Sequence, residues 1–170
     1  QGADSTFLTD VLRRAALCLG VDGEAFYRAQ ASSVMLSCDN AHAVHPNHGE
    51  FADRNHTARM NGGVVIKYNA NQRYTSDAVS AGIFRRICES AGVPVQYYAN
   101  RADMPGGSTL GNISNTQVSL NAVDIGLAQL AMHSPFETAG AADTVSLVKA
   151  LTAFFEHSLV AERDGVYRFL

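Results

Sequence analysis

The chain has no excess of basic charge, no long apolar run and little cysteine, and each shortage excludes a class of protein. Its 170 residues carry 13 lysines and arginines against 16 aspartates and glutamates, for a net charge of −3. No basic field is therefore present to bind a nucleic acid or an anionic membrane surface, and we expect neither as a partner. The apolar runs are far shorter than the roughly 20 residues of a membrane-spanning helix.

Cysteine is both sparse and widely spaced. Cys18, Cys38 and Cys88 form no Cys-x-x-Cys pair, which argues against a structural zinc site and against a disulfide framework. Together with the lack of a recognisable leader, the pattern predicts reduced thiols and a cytoplasmic protein. The chain starts at Gln1 rather than at a methionine, so we also expect it to be a processed or clipped fragment.

Strand-like apolar runs alternate with amphipathic helical segments along the chain. Strands are predicted at 33–38, 64–68, 93–99 and 119–126. Helices are predicted at 5–19, near 23–31, from Thr75 or Ser76 to Gly92, and at 141–157. The alternation predicts one α/β domain, a three-layer α/β/α sandwich with a mostly parallel central sheet. In such sheets the chemistry lies beyond the carboxyl ends of the strands, here in the loops 39–56 and 127–140.

The loop 39–56 holds four of the six histidines, namely His42, His45, His48 and His56. Asp39 is the first residue of this loop and directly follows a predicted strand. A carboxylate at a strand end suits a divalent cation and imidazole suits zinc, so Asp39 with a distant histidine is a plausible half of a catalytic metal site. His133 also follows a predicted strand and is the natural candidate. The alternative is that these histidines are solvated loop residues, hydrogen-bond partners of ligands, or satisfied buried residues.

Lys67 lies inside the apolar run 64–68, where an ammonium group is costly unless it reaches water or meets an anion. It is therefore either a surface residue of an edge strand or a fixed cation for a substrate carboxylate. The polar stretch 69–74 follows it and could line a pocket. The glycine-rich segment 106–111 lacks the lysine of a P-loop, but its backbone amides could hold a carboxylate or an oxyanion.

Five segments taken together closely resemble the aspartyl aminopeptidase family of dinuclear zinc peptidases. They are GADSTFL (2–8), DNAHAVHPN (39–47), IKYNANQRY (66–74), GGSTLG (106–111) and LAMHS (130–134). The resemblance implies a phosphorylase/hydrolase-like catalytic domain that removes N-terminal residues from peptides. It also implies two zinc ions, with Mn²⁺ or Co²⁺ as alternatives, and a homo-oligomer that is commonly a dodecamer.

The resemblance assigns roles to particular residues. It makes Asp39 and His133 zinc ligands, and it places His42 beside the metals in contact with the scissile carbonyl or the tetrahedral intermediate. Lys67 and Tyr74 would face the substrate side chain, with Lys67 explaining a preference for Asp or Glu.

The backbone of Gly107 would line the same pocket in such an enzyme. Two local departures from the family pattern flank the site: Phe136 precedes Glu137 where an arginine is usual, and Asn112 replaces a proline. We expect these changes to alter the local loops and substrate preference without removing a ligand.

Motifs that the family carries upstream of GADSTFL have no counterpart in this chain. These are a His-x-Asp motif, a bridging aspartate and a pair of adjacent glutamates that supplies the general base. We therefore expect residues 1–170 to be the C-terminal portion of the catalytic domain, with the N-terminal portion on a partner chain and the inserted dimerisation domain absent. The alternatives are a non-catalytic binding or scaffold subunit of the same fold, or another dinuclear metallohydrolase such as a deacylase.

Overall fold

A computed structural model describes residues 2–163 and 165–170, so Gln1, where we expect a clipped end, lies outside the described residues. Five α-helices are described: α1 (Phe7–Cys18), α2 (Gly23–Ser32), α3 (Ala78–Ser90), α4 (Leu110–Gln117) and α5 (Ala141–Glu156). The described strands are β1 (Val34–Cys38), β2 (Ala41–His42), β3 (Val64–Tyr68), β4 (Val95–Ala99), β5 (Asn121–Gly126), β6 (Ala128–Leu130), β7 (Thr138–Ala139), β8 (Leu159–Arg163) and β9 (Val166–Phe169). None of the described helices combines the length and apolarity that crossing a bilayer requires.

The central sheet has four strands in the order β1-β5-β3-β4. β1 is parallel to β5 and β3 is parallel to β4, whereas β3 and β5 run antiparallel. A second, small sheet has the order β2-β6-β7, and β8 forms an antiparallel hairpin with β9. The predicted α/β class with a mostly parallel central sheet is therefore confirmed, with one antiparallel pairing at its centre.

Successive side chains of β3 point to opposite faces of the central sheet. Val64 and Ile66 are fully buried against Phe84 of α3 and Ala150 of α5. Val65 points to the other face, where it packs in a second cluster with Ala41, Ala58, Tyr74, Tyr98 and Ala128. Because side chains alternate along a strand, Lys67 lies on this second face. The helices α3 and α5 thus cover one face, and α4 with the small sheet lies over the other.

The third helix begins later than the sequence predicts. Its N-cap is Asp77, not Thr75 or Ser76: the Asp77 carboxylate accepts from the Ser80 N–H at 2.7 Å, and the Asp77 N–H donates to Ser80 Oγ at 3.1 Å. This reciprocal pair is a capping box, which satisfies two donors at the helix start. Thr75 is instead hydrogen-bonded to the sheet.

Several short elements were not expected from the sequence. α4 lies within and just beyond the glycine-rich segment, β6 and β7 lie in the predicted loop 127–140, and β8 and β9 follow the last helix. α4 has few apolar residues, so no helical period marks it. The hairpin is stabilised by tertiary contacts, since Leu159, Tyr167 and Phe169 pack against Ile83 and Ile87 of α3.

The apolar faces predicted for α1 and α5 are only partly used. No residue of α1 is buried, and Phe7 and Leu17 are 73% and 74% exposed. In α5, Leu147 packs against the core, but Val145 and Phe155 are 56% and 80% exposed. Both helices therefore carry apolar side chains that the described residues leave in contact with solvent.

A buried carboxylate ties the start of α5 to the turn before β3. Asp143 is fully buried, and its two oxygens accept from the N–H groups of Gly63 at 2.8 Å and Asn61 at 2.6 Å. The Asn61 side chain in turn accepts from the N–H of Ala142 at 3.1 Å. An acidic residue in the first turn also interacts favourably with the helix dipole. This contact fixes where β3 enters the sheet.

Replacing Asp143 with alanine should lower the free energy of unfolding by about 3 kcal/mol, because the N–H groups of Gly63 and Asn61 lose the buried carboxylate that accepts from them. Urea unfolding of the chain measures the change. The matched control is Asp103→Ala, since Asp103 is 63% exposed and pairs with Arg101 at the surface. That change should cost no more than about 0.5 kcal/mol. Equal losses in the two variants would contradict the structural role of Asp143.

Candidate functional site

Asp39 is held at the end of β1 by its own backbone. Its N–H donates to the Ile125 carbonyl at 2.9 Å, which extends the pairing of β1 with β5 by one residue. The close approach requires glycine at position 126, because a β-carbon there would lie 1.9 Å from the Asp39 carbonyl oxygen. The Asp39 side chain is 44% exposed. The sheet therefore fixes the backbone of Asp39 and leaves its carboxylate partly exposed at the surface.

Lys67 is buried in the sheet with only 2% of its side chain exposed. Its Nζ donates to the Asn40 carbonyl at 3.2 Å, lies 3.8 Å from Asp39 Oδ2 and sits 4.9 Å from the centre of the Tyr74 ring. Burial lowers the pKa of Lys67, and the charges of Asp39 and Asp124 oppose that shift. The interpretation as an edge-strand surface residue is wrong, because β3 lies between β5 and β4.

Asn40 connects the end of β1 to the small sheet. Its amide nitrogen donates to Gln129 Oε1 at 3.0 Å, and its amide oxygen accepts from the Leu127 N–H at 3.2 Å. His42 follows in β2, directly opposite Gln129 of β6. The contacts of Asn40 hold the chain after Asp39 against the small sheet. His42 therefore lies on β2, three residues after Asp39.

His42 shares one electrostatic neighbourhood with the other candidate residues. Burial is the main cause that lowers its pKa from the ordinary value of 6.5, followed by the positive charges of His133 and Lys67, while Asp39 opposes the shift. The imidazole is therefore mainly neutral near pH 7. A neutral ring can donate a hydrogen bond from one nitrogen and accept one at the other. The structure thus brings Asp39, His42, Lys67 and His133 close enough for their charges to interact.

His133 lies in a tight turn after β6 with unusual backbone geometry. Ala131 and His133 have positive φ angles of 54° and 68°, which non-glycine residues seldom adopt. The turn is closed by a hydrogen bond from the Ser134 N–H to the Ala131 carbonyl at 3.0 Å. In addition, the His133 N–H donates to Glu137 Oε1 at 2.6 Å. Such backbone strain is common at functional sites, where the surrounding contacts maintain it.

The two candidate ligands, Asp39 and His133, are of residue types that bind zinc, but two are fewer than a catalytic zinc site needs. Carboxylate and imidazole are both zinc ligands, and a catalytic site takes three from the protein. Within residues 2–163 and 165–170, no group of three His, Cys, Asp or Glu side chains is placed to hold an ion. The assignment of Asp39 and His133 therefore stays a prediction of a partial ligand set.

Two of the loop histidines have partners of their own. His48 Nδ1 lies 3.1 Å from Glu50 Oε1, and His56 Nδ1 lies 3.0 Å from Asp53 Oδ1, with both rings about half exposed. The solvated-loop interpretation therefore describes His48 and His56.

A cavity of about 370 Å³ opens beside His42 and has Gly107 in its wall. Tyr98 and Asn100 also line this cavity. The Tyr74 hydroxyl donates to Asn100 Oδ1 at 3.1 Å, and Asn100 Nδ2 donates to the Tyr98 hydroxyl at 3.1 Å. Burial raises the pKa of Tyr74 to about 12, so its hydroxyl stays protonated. Tyr74 therefore lies behind the cavity wall and acts on it through Asn100.

Two residues of this region were not singled out from the sequence. Asn100 directly follows β4, and Asp124 is fully buried inside β5. For Asp124 a signal was present, because a charged residue in an apolar strand is the pattern that drew attention to Lys67. For Asn100 a polar residue at a strand end gives a weaker signal, since such residues are also common in turns.

A carboxylate and imidazoles set beyond the strands of an α/β/α domain are typical of metal-dependent hydrolases. The family model of the aminopeptidase I zinc metalloproteases (M18) matches residues 1–155. The chain belongs to this family, and the resemblance found in its motifs is confirmed. The match ends before the β8–β9 hairpin.

Relatives and solved structures agree with this assignment. The chain is 50% identical over 157 residues to a probable M18 family aminopeptidase 2 of Pseudomonas paraeruginosa, and 47% identical over 155 residues to one of Clostridium acetobutylicum. These matches cover 92% and 91% of this chain but 36% of each relative. The chain therefore spans about a third of the length of the curated relatives it matches.

Two solved structures share the fold over most of the chain. A cryo-EM structure of the Ape4 and Nbr1 complex matches with a TM-score of 0.89 and 37% identity, covering 92% of this chain and 30% of the other. The structure of the S. cerevisiae mApe1 dodecamer matches with a TM-score of 0.79 and 29% identity, covering 92% and 34%.

The lowered pKa of His42 predicts how stability depends on pH. Between its lowered folded-state pKa and 6.5, the unfolded chain binds more protons at this residue than the folded chain. His42 therefore contributes stability that is fully present above pH 6.5 and is lost as the pH falls through this window. Urea unfolding at pH 7.5 and pH 5 should show a smaller pH-dependent loss in His42→Gln than in the unchanged chain. The same loss in both would contradict the partial desolvation of the His42 ring.

Proposed function

We propose that the chain is the part of a metal-dependent aminopeptidase that contributes Asp39 and His133 to a site for two zinc ions. The observation that carries the proposal is the convergence of Asp39, Lys67 and His42 at one place on the sheet, within a chain of the zinc aminopeptidase family. The three residues come from different elements, and each has backbone or side-chain contacts that position it.

We propose that this chain's residues bind and orient the substrate. Bound zinc supplies Lewis-acid polarisation of the scissile carbonyl. The neutral imidazole of His42 lies at the cavity and can donate a hydrogen bond to that carbonyl oxygen. The backbone of Gly107 lines the same cavity.

The proposed substrates are peptides with an acidic N-terminal residue. Lys67 is a buried cation, and a buried cation interacts strongly with an anion because water screens it little. Its neighbour Tyr74 keeps a protonated hydroxyl that orders Asn100. An Asp or Glu side chain that reached Lys67 would gain a charged partner, whereas an apolar side chain would gain none.

The remaining ligands and the general base are proposed to come from outside residues 1–170. Two observations support this: the described residues lack a group of three metal-binding side chains, and the chain spans about a third of its relatives. We propose that the assembly is a cytoplasmic homo-oligomer. The dodecamer seen for S. cerevisiae mApe1 supports the oligomer.

The decisive experiment removes one candidate ligand at a time from the native assembly that contains this chain. Asp39→Ala and His133→Ala should each lower the zinc content and reduce cleavage of aminoacyl-nitroanilides by about 100-fold or more. Zinc is measured by mass spectrometry of the metal, and intact masses identify every polypeptide present. His56→Ala, which changes an exposed histidine paired with Asp53, should leave both properties unchanged. Full activity and zinc content in the Asp39 or His133 variant would contradict the ligand assignment, and no cleavage by the unchanged assembly would support a scaffold subunit.

Lys67→Met tests the substrate preference. The change keeps the buried volume but removes the charge, so kcat/KM for aspartyl and glutamyl substrates should fall about 100-fold, against a few-fold for leucyl or alanyl substrates. Lys149→Met, at an exposed position of α5, is the matched control and should alter neither value. Equal losses on acidic and neutral substrates would mean that Lys67 is structural.

A further inference from the structure

A row of buried polar side chains crosses all four strands of the central sheet on one face. It consists of Ser37 in β1, Asp124 in β5, Lys67 in β3 and Tyr98 in β4, which are 6%, 0%, 2% and 8% exposed. Ser37 pairs with Asp124, and Lys67 pairs with Tyr98. The antiparallel register that pairs Ile66 with Ile125 sets Lys67 opposite Asp124 one residue further on. Lys67 therefore lies beside the buried carboxylate of Asp124 in the sheet, in addition to its contact with Asp39.

Asp124 also binds the segment that carries Tyr74. Its Oδ2 accepts from the Thr75 N–H at 2.6 Å and from the Thr75 hydroxyl at 2.8 Å. Its backbone N–H donates to Ser76 Oγ at 2.9 Å. Four hydrogen bonds thus join one residue of β5 to the two residues directly after Tyr74, since Ser76 Oγ also donates to the Asp124 carbonyl at 3.5 Å. These bonds hold the Tyr74 ring over the Lys67 ammonium.

The other carboxylate oxygen of Asp124 is enclosed by the start of α4. A β-carbon at Gly111 would lie 3.1 Å from Asp124 Oδ1 and 2.7 Å from Ser37 Oγ, so this side of the carboxylate is covered closely by the helix. Within the described residues, Asp124 Oδ1 has no hydrogen-bond partner. A fully buried carboxylate is costly unless a positive charge balances it, and Lys67 lies on the neighbouring strand.

We propose that Asp124 is a positioning residue for substrate recognition: through Thr75 it holds the Tyr74 ring against Lys67, and so fixes the position of the Lys67 ammonium. The proposal rests on the proposed function, because there the Lys67 ammonium selects an acidic residue. Asp124 itself is fully buried and does not reach the substrate.

The first test compares Thr75→Val with Thr75→Ser in the complete enzyme. Valine removes the hydroxyl that donates to Asp124, whereas serine keeps it. Thr75→Val and Asp124→Asn should each raise KM for aspartyl-nitroanilide about five- to tenfold, with kcat on alanyl-nitroanilide nearly unchanged. Thr75→Ser should behave like the unchanged enzyme. Equal changes on both substrates would overturn the proposal.

A double-mutant cycle asks whether Asp124 acts through Tyr74. In a Tyr74→Leu background, which removes the ring, Asp124→Asn should change KM for aspartyl-nitroanilide at least about threefold less than it does alone. Simple additivity would overturn the proposal. Asp143→Asn is the matched control, because Asp143 is also a fully buried carboxylate that accepts from backbone N–H groups. It should lower stability without changing the ratio of acidic to neutral activity.

Hydrogen exchange on the full chain tests the contact of Asp124 with Thr75 without any assay of activity. Asp124→Asn should speed exchange of the Thr75 amide at least about tenfold and leave the Asn61 and Gly63 amides unchanged, whereas Asp143→Asn should do the reverse. Unchanged exchange at Thr75 would overturn the positioning role. If exchange changes as expected but the unchanged enzyme does not prefer acidic substrates, the contact of Asp124 with Thr75 is supported. In that case it is the proposed preference for acidic substrates that fails.

Discussion

A positive charge buried in the middle of a sheet governs the arrangement of this site. Lys67 is almost fully enclosed, and the groups around its ammonium are the Asn40 carbonyl, the Asp39 carboxylate and the face of the Tyr74 ring. An ammonium group in such a place is tolerated only where negative or polar groups surround it. The end of β1 and the segment after β3 must therefore both approach β3, although they are far apart along the chain.

The central antiparallel pairing explains how these segments meet. In an entirely parallel sheet, the loops after β1 and β3 would leave from the same edge. Here β3 runs against β5, so the chain after β3 leaves from the opposite edge and returns over the sheet face to reach Asp124 at Thr75. The site is consequently built on the face of the sheet as well as at its edge. This is why Tyr74 and Lys67, separated by a loop, come into contact.

The main strands and helices, the fold class and the family could be predicted from the sequence because periodic apolar runs and long motifs report on them directly. α4, the small sheet and the hairpin could not, since they depend on contacts with distant parts of the chain more than on local period. The same limit applies to the site. Asp39 and Lys67 were visible as charged residues at or inside strands, but the contact of Asp124 with Thr75 and the left-handed turn at His133 are tertiary features.

The exposed apolar side chains of α1 and α5 have a practical consequence. Phe7, Leu17 and Phe155 each expose more than 70% of their surface to water. Burying these apolar side chains against a partner would be favourable, so they promote association. The melting temperature of the chain should then rise with protein concentration, as for any species that is stabilised by self-association. Measurements of its stability at a single concentration would combine the strength of the fold with the tendency of these two helices to find a partner.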